Sequence, residues 1–425
     1  YSMWVNRGFE RMKNSNLGHY SMMQQLHQYI KKWSPCLWGG WNSIGFDFIM
    51  LQKENYRSLF PIYATNQNGN EHADFLPVTR ASKIFFPDCV QTELSAKSNP
   101  VFKLDSMGPL NFPNFDKKKL HTAMGDCELC LEVMRKIKKD ANPIYRAAQE
   151  TTAKISAKEK IENKKIFTTV FYFYGKARPS VVTYLCNHGK YTNWPMVFCL
   201  ENDPKDFMSL GHQSLKESLK KSGKWVRALP LKHPIVLDPT YGLKTDLYKE
   251  LGLNLLTERA NRVRENKEFA KKVNLILGEI AQEKQEAKDK KNKEKLSHED
   301  SLFAGGFPSP EDQNTMKEFQ AVDDWKNKYK IISKIQDSRF IYLGKRLIYQ
   351  NDPESLPKKE YEEIHSDIAK KILNPEEIRF TTLPMAEKLI DDIRAEKGIS
   401  SQKLDYMNEI DQYLKQMRQT YEKAV

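Results

Sequence analysis

Apolar side chains recur at helical spacing near the start of the chain, at Phe9, Met12, Leu17, Met22, Leu26 and Ile30, and predict a helix there. A short strand-like run at Cys36, Leu37 and Trp38 follows, then helices over residues 46–59 and about 122–137. This alternation predicts an α/β domain over residues 1–141. Residues 142–163 read as a polar helix ending in charge. The pattern then changes to period two with many aromatics, giving strands at 166–174, 180–185 and 196–200. Residues 175–179 (Gly-Lys-Ala-Arg-Pro) read as a hairpin turn and Asn187-His188-Gly189 as another. Further short strands at 225–226 and 235–237 would let the set close into a small β-barrel, within a second domain over 142–296. Residues 255–296 read as one long helix whose end, from 282 on, is almost wholly charged and suits a solvated face. Helical spacing at Met316, Phe319 and Trp325, and again at Leu404, Met407, Ile410 and Tyr413, predicts an all-helical domain over 297–425. There is no internal repeat.

Charge narrows the choice of partner. Lys and Arg number 68 against 55 Asp and Glu, a net charge of +13, which suits a polyanion such as nucleic acid or, equally, a lysine-rich composition without functional meaning. No stretch approaches the ~18 apolar residues of a membrane span, so no membrane partner is expected. The six cysteines (Cys36, Cys89, Cys127, Cys130, Cys186 and Cys199) are scattered, and no signal peptide is evident, which predicts reduced thiols and a cytoplasmic protein. Cys127 and Cys130 form a C-x-x-C, but with no second pair or clear His pair they read as packed helix residues. The chain opens on Tyr1 within its first helical pattern, which reads as a missing N-terminal segment.

Two segments carry candidate chemistry. In Leu120-His121-Thr122-Ala123-Met124-Gly125-Asp126 an imidazole precedes a carboxylate by five residues at a helix start, about 7.5 Å along the axis at ~1.5 Å per residue. A His that can take a proton beside a carboxylate that can hold a divalent cation suits metal-assisted hydrolysis. Trp41-Asn42-Ser43-Ile44-Gly45-Phe46-Asp47 places a second carboxylate at a helix start after a strand and turn. Each segment also suits an ordinary helix cap.

Together these segments resemble the DEDDh 3′-to-5′ exonucleases, and among them the exodeoxyribonuclease I family. The resemblance extends to residues 73–81 (Ala-Asp-Phe-Leu-Pro-Val-Thr-Arg-Ala) and 101–105 (Val-Phe-Lys-Leu-Asp), in the expected order between the two segments. It continues at residues 190–194, at Leu302-Phe303-Ala304-Gly305-Gly306-Phe307, and at Asp337-Ser338-Arg339 with Asn351-Asp352-Pro353.

The resemblance implies a ribonuclease-H-like exonuclease domain, an SH3-like barrel and a C-terminal helical domain, arranged as a clamp around single-stranded DNA. It implies two Mg²⁺ ions, with Mn²⁺ as a substitute, held by four carboxylates. Asp126 would bind one ion directly, Asp47 would serve the other, directly or through water, and His121 would be the general base, with 5′-mononucleotides as products in DNA repair and recombination. The remaining two carboxylates belong to an Asp-x-Glu strand that this sequence lacks, so this polypeptide is expected to be nearly inactive. Tyr63, Arg80, Phe102, Lys103, Arg178 and Trp194 are the candidates for holding the strand, with Phe303 and Phe307 as weaker ones; at Lys103 the family commonly has Arg, whose fork Lys cannot reproduce. Single-strand DNA-binding protein is an implied partner, and a monomer is expected. A DEDDh enzyme acting on RNA or proofreading DNA, and a non-catalytic single-strand-binding clamp, stay open as alternatives.

Overall fold

A computed structural model describes residues 14–15, 17–221, 225–291, 296–377, 379–396 and 398–424. In chain order the elements are α1 (His19–Trp33), β1 (Leu37–Gly40), α2 (Asp47–Arg57), β2 (Glu71–Asp74), α3 (Phe75–Phe85), α4 (Leu104–Asn111), α5 (Ala123–Asp140), α6 (Asn142–Gln149) and α7 (Lys154–Asn163). There follow β3 (Phe167–Phe173), β4 (Lys176–Asn187), β5 (Pro195–Cys199), α8 (Lys205–Met208), α9 (His212–Lys220), β6 (Val226–Ala228), α10 (Pro239–Gly242), α11 (Asp246–Glu265) and α12 (Lys267–Lys291). The remainder is helical: α13 (Pro310–Ala321), α14 (Trp325–Ile332), α15 (Ser338–Asn351), α16 (Lys358–Ile372), α17 (Leu383–Arg394) and α18 (Ser401–Tyr421). Phe9 and Met12 lie outside the described residues, as do residues 292–295 of the charged run.

The chain divides into two units. One holds the residues up to Lys32, Leu51–Ile62 and the chain from Leu296 on; the other holds Trp33–Met50 and the chain from Tyr63 through α12. In the helical unit, Tyr20, Met23, Tyr56 and Leu59 share a core with Phe319, Phe340 and Leu343. Residues assigned from sequence to the first domain thus bury their apolar faces with the C-terminal helices. Periodicity tells which face of a helix is apolar but not which surface covers it. Side chains set the ends of these helices: the hydroxyl of Ser309 accepts from the Asp312 N–H (3.0 Å) and the carboxylate of Asp324 from the Asn327 N–H (2.8 Å).

In the other unit β1 and β2 pair in parallel, Leu37 opposite Glu71 and Gly40 opposite Asp74. Helices α3, α5 and α6 pack beside them around Val78, Ala81, Val133, Ile137 and Ile144. The second sheet is antiparallel in the order β3-β4-β5-β6, with a bulge between Tyr184 and Cys186, and Thr168 bridges to Leu237 beyond it.

The expected turn over residues 175–179 is corrected. Tyr174 (φ 52°) and Gly175 (φ 75°) alone make the turn, and β4 starts at Lys176. Two consecutive left-handed residues give the tight hairpin whose twist matches its strands. Pro179 is accommodated because β4 has only β3 beside it there: pairing with β5 begins at Val182. The single long helix expected over 255–296 is also corrected. Asn266 breaks it (φ −84°, ψ 81°), and its side chain accepts from the Phe269 N–H (2.9 Å) to start α12. Residues 142–163 likewise form two helices, α6 and α7.

Candidate active site

The carboxyl ends of the two parallel strands lie side by side, Gly40 against Asp74. That end of a parallel sheet is where turns entering helices gather functional groups. From β1 the chain runs through a tight turn into α2, whose first residue is the exposed Asp47. Asn42 takes a left-handed conformation (φ 56°), and its carbonyl accepts from the Gly45 N–H at 3.1 Å.

Asp126 sits in the first turn of α5, which Thr122 caps by accepting from the Gly125 N–H (3.1 Å). Gly125 is required there: a Cβ would stand 2.1 Å from the Lys119 carbonyl oxygen. His121, just before the cap, is left-handed (φ 64°), and its backbone N–H donates to the Asp126 carboxylate (3.2 Å). Its imidazole Nε2 is 4.0 Å from the Asp105 carboxylate, and both side chains are about half exposed. Imidazole and Asp126 are thus tied through the backbone, while Asp105 is the carboxylate facing the ring.

Asp47 and Asp126 stand at the starts of α2 and α5. The Cys130 thiol is pushed up to about 12, first by burial and then by the charges of Cys127, Asp126 and Asp47. Cys127 itself is exposed, which corrects the reading of both cysteines as packed; only Cys130 is buried. At positions i and i+3 on an amphipathic helix one residue can sit at the edge of the apolar stripe and its neighbour outside it. Carboxylate oxygens are the hard donors that Mg²⁺ and Mn²⁺ prefer. Among the described residues, however, no group of three or more His, Cys, Asp or Glu side chains could hold a metal ion. The described side chains do not by themselves make a complete site.

Three of the expected strand-holding residues adjoin this region. The Arg80 guanidinium lies 3.4 Å from the centre of the Tyr172 ring and 5.9 Å from that of Phe102. The Phe102 carbonyl accepts from the Trp41 indole N–H at 3.2 Å, and Lys103, next in sequence, is exposed where α4 begins. Arg178 is in strand β4 rather than in a loop, paired with Phe171. Cross-strand partners share a face, so Arg178 is on the opposite side of the hairpin from Tyr172, against Phe173 (5.0 Å) with Arg227 (4.5 Å). Trp194 belongs to a separate cluster with His188 and Tyr191, ring centres 4.8–6.0 Å apart. Tyr63 is half-buried in the stretch before β2, and burial raises its phenol. Phe303 and Phe307 are exposed, at 66% and 73%.

Sequence reasoning did not single out Tyr172, Asp74 or His233. Tyr172 had a signal, an aromatic at an outward position of an alternating strand. His233, in an unremarked loop, had none.

No family model matches the sequence, and no curated protein does. Solved structures do. Exonuclease I from Methylocaldum szegediense superposes with a TM-score of 0.76 at 17% identity, covering 94% of this chain and 84% of that one. Escherichia coli exonuclease I in complex with a dA16 oligonucleotide gives 0.73 at 18%, covering 94% and 84%. A complex of exonuclease I with the C-terminal segment of SSB gives 0.72 at 17%, covering 93% and 83%. The chain has the fold of exonuclease I over nearly its whole length, mixed α/β followed by helices.

Proposed function

We propose that the chain acts on single-stranded DNA as a 3′-to-5′ exonuclease that releases 5′-mononucleotides, in repair and recombination. The observation that carries this reading is the exonuclease I fold over 94% of the chain; Asp47 and Asp126 at the starts of α2 and α5, with the His121 backbone N–H on the Asp126 carboxylate, support it. In this reading His121 takes the proton of the attacking water, and Asp47 and Asp126 are two of the oxygen ligands of a Mg²⁺- or Mn²⁺-dependent site. Arg80, Phe102 and Lys103 hold the phosphates and bases nearest the cut. The antiparallel sheet with its Leu237 bridge corresponds to the SH3-like barrel. The protein would act as a cytoplasmic monomer, with single-strand DNA-binding protein as partner; exonuclease I has been solved with both an oligonucleotide and an SSB segment.

A second reading, a non-catalytic single-strand-binding clamp, is favoured by the lack of a three-donor group among the described residues. The test has two arms. Anisotropy with labelled oligonucleotides should show tighter binding to single strands than to duplex, weakened by Arg80→Ala; equal affinity for both would sink either reading. In the second arm, a 5′-labelled oligonucleotide with Mg²⁺ should be cut near background by this polypeptide and efficiently once a strand bearing Asp-x-Glu is supplied. Normal turnover without it would overturn the incomplete-site reading, and none with it would favour the clamp.

A further inference from the structure

We propose that Asp74 is the positioning residue of the candidate active site, holding the turn that delivers Asp47; this rests on Asp47 being a working carboxylate. Asp74 is buried, 6% exposed, at the end of β2. Its carboxylate accepts three backbone N–H groups, from Asn42 (2.9 Å), Leu76 (3.1 Å) and Ile44 (3.4 Å). The Leu76 bond caps α3. The other two reach into a different segment, the turn between β1 and α2, and end three residues before Asp47. Ser43 adds a fourth tie, its hydroxyl donating to the Ala73 carbonyl at 3.1 Å. Together these bonds offset the cost of holding Asn42 left-handed at φ 56°.

Asp74 is itself fixed from behind. Its backbone N–H donates to Nδ1 of buried His233 (3.0 Å), so that ring carries its proton on Nε2, which donates to the Ala148 carbonyl (2.9 Å). The line of contact runs from α6 through His233 and Asp74 to the turn and so to Asp47.

The choice of Asp over a neutral cap follows from the donor count. Ser, Thr or Asn would cap α3 as well. Two of the N–H groups meet one carboxylate oxygen and the third meets the other, so both atoms must accept; an amide would turn its own NH₂ toward one of the donors. Burial raises the Asp74 pKa, while the three N–H bonds and the nearby Arg80 charge oppose that shift. Two of its three N–H partners lie outside the helix it caps, so its bonds do more than capping.

The test compares Asp74→Ala and Asp74→Asn with Val78→Ala, which removes fully buried volume from α3 and leaves every bond to the turn in place. Amide hydrogen exchange is followed at Asn42 and Ile44, and Mn²⁺ alone is the probe of Asp47 and Asp126 through paramagnetic broadening of their signals. Asp74→Ala should open the two amides and weaken Mn²⁺ affinity, read from the concentration at which the site's signals broaden, by about tenfold, the scale on which losing a ligand's supporting bond acts. Asp74→Asn should fall between the two, and Val78→Ala should lower stability only. If Asp74→Ala binds Mn²⁺ as tightly as the wild type, or the two amides exchange as they do in Val78→Ala, the proposal is overturned while the active-site reading stands. If Mn²⁺ broadens neither carboxylate even with a strand bearing Asp-x-Glu supplied, the active-site reading itself fails.

Discussion

At the scale of single residues, Lys328 makes the clearest case for chemistry set by surroundings. Its ammonium is almost fully enclosed (1% exposed), donates to the Phe319 carbonyl (2.5 Å) and the Tyr20 hydroxyl (3.1 Å), and lies over the rings of Tyr20, Phe319 and Trp325. Burial lowers its pKa to about 8, with Asp323 opposing. Between about 8 and the ordinary 10.5 the unfolded chain binds a proton that the folded one has released. Folding stability from this group therefore rises with pH across that window. Urea titrations at pH 7.5 and pH 10 should show that rise relative to Lys328→Met, in which it is absent; parallel curves for the two proteins would contradict it. The candidate site follows the same logic. Asp47, His121 and Asp126 could be picked out from residue type and spacing, because a carboxylate and an imidazole announce their chemistry. Asp74 could be quoted from the sequence but not understood, since its meaning lies in three donors from two segments.

At the scale of elements, the β3–β4 hairpin carries a local cost. Tyr174 is 91% exposed and held left-handed at φ 52°, where Asn is better tolerated. Tyr174→Asn should raise unfolding stability by about 1 kcal/mol, since a left-handed conformation costs that much for most L-residues. The check is a urea midpoint paired with single-strand affinity: a gain in the first with a loss in the second would place Tyr174 among the strand-holding residues. Element type was legible where the period was long and clear, as in β3, α5 and the C-terminal helices. Boundaries were lost where one residue overrides a pattern. The Asn266 side chain ends one helix and starts another inside a continuous helical signal, and Pro179, a turn residue by composition, is at home in a stretch paired on one side.

For the whole molecule, a net charge of +13 bears on affinity rather than on fold. Single-strand binding should fall steeply with salt, with a slope of log K against log salt of roughly −0.7 per phosphate contacted. Arg80→Ala should make that slope shallower, whereas Phe102→Ala should lower affinity and leave the slope unchanged; anisotropy at several salt concentrations reads both. By itself the sequence determined the succession of α/β, β and α regions and the charge, and it put forward Asp47, His121 and Asp126 as candidates, because these depend on residue type and local spacing. Only the tertiary structure decided that helix α1 shares a core with Phe319 and Phe340, that Arg80 stacks on Tyr172, and that His233 holds Asp74 and Asp74 holds the turn before α2. Those are contacts between segments far apart along the chain, fixed by which apolar faces and buried donors find partners, and no local pattern records that choice.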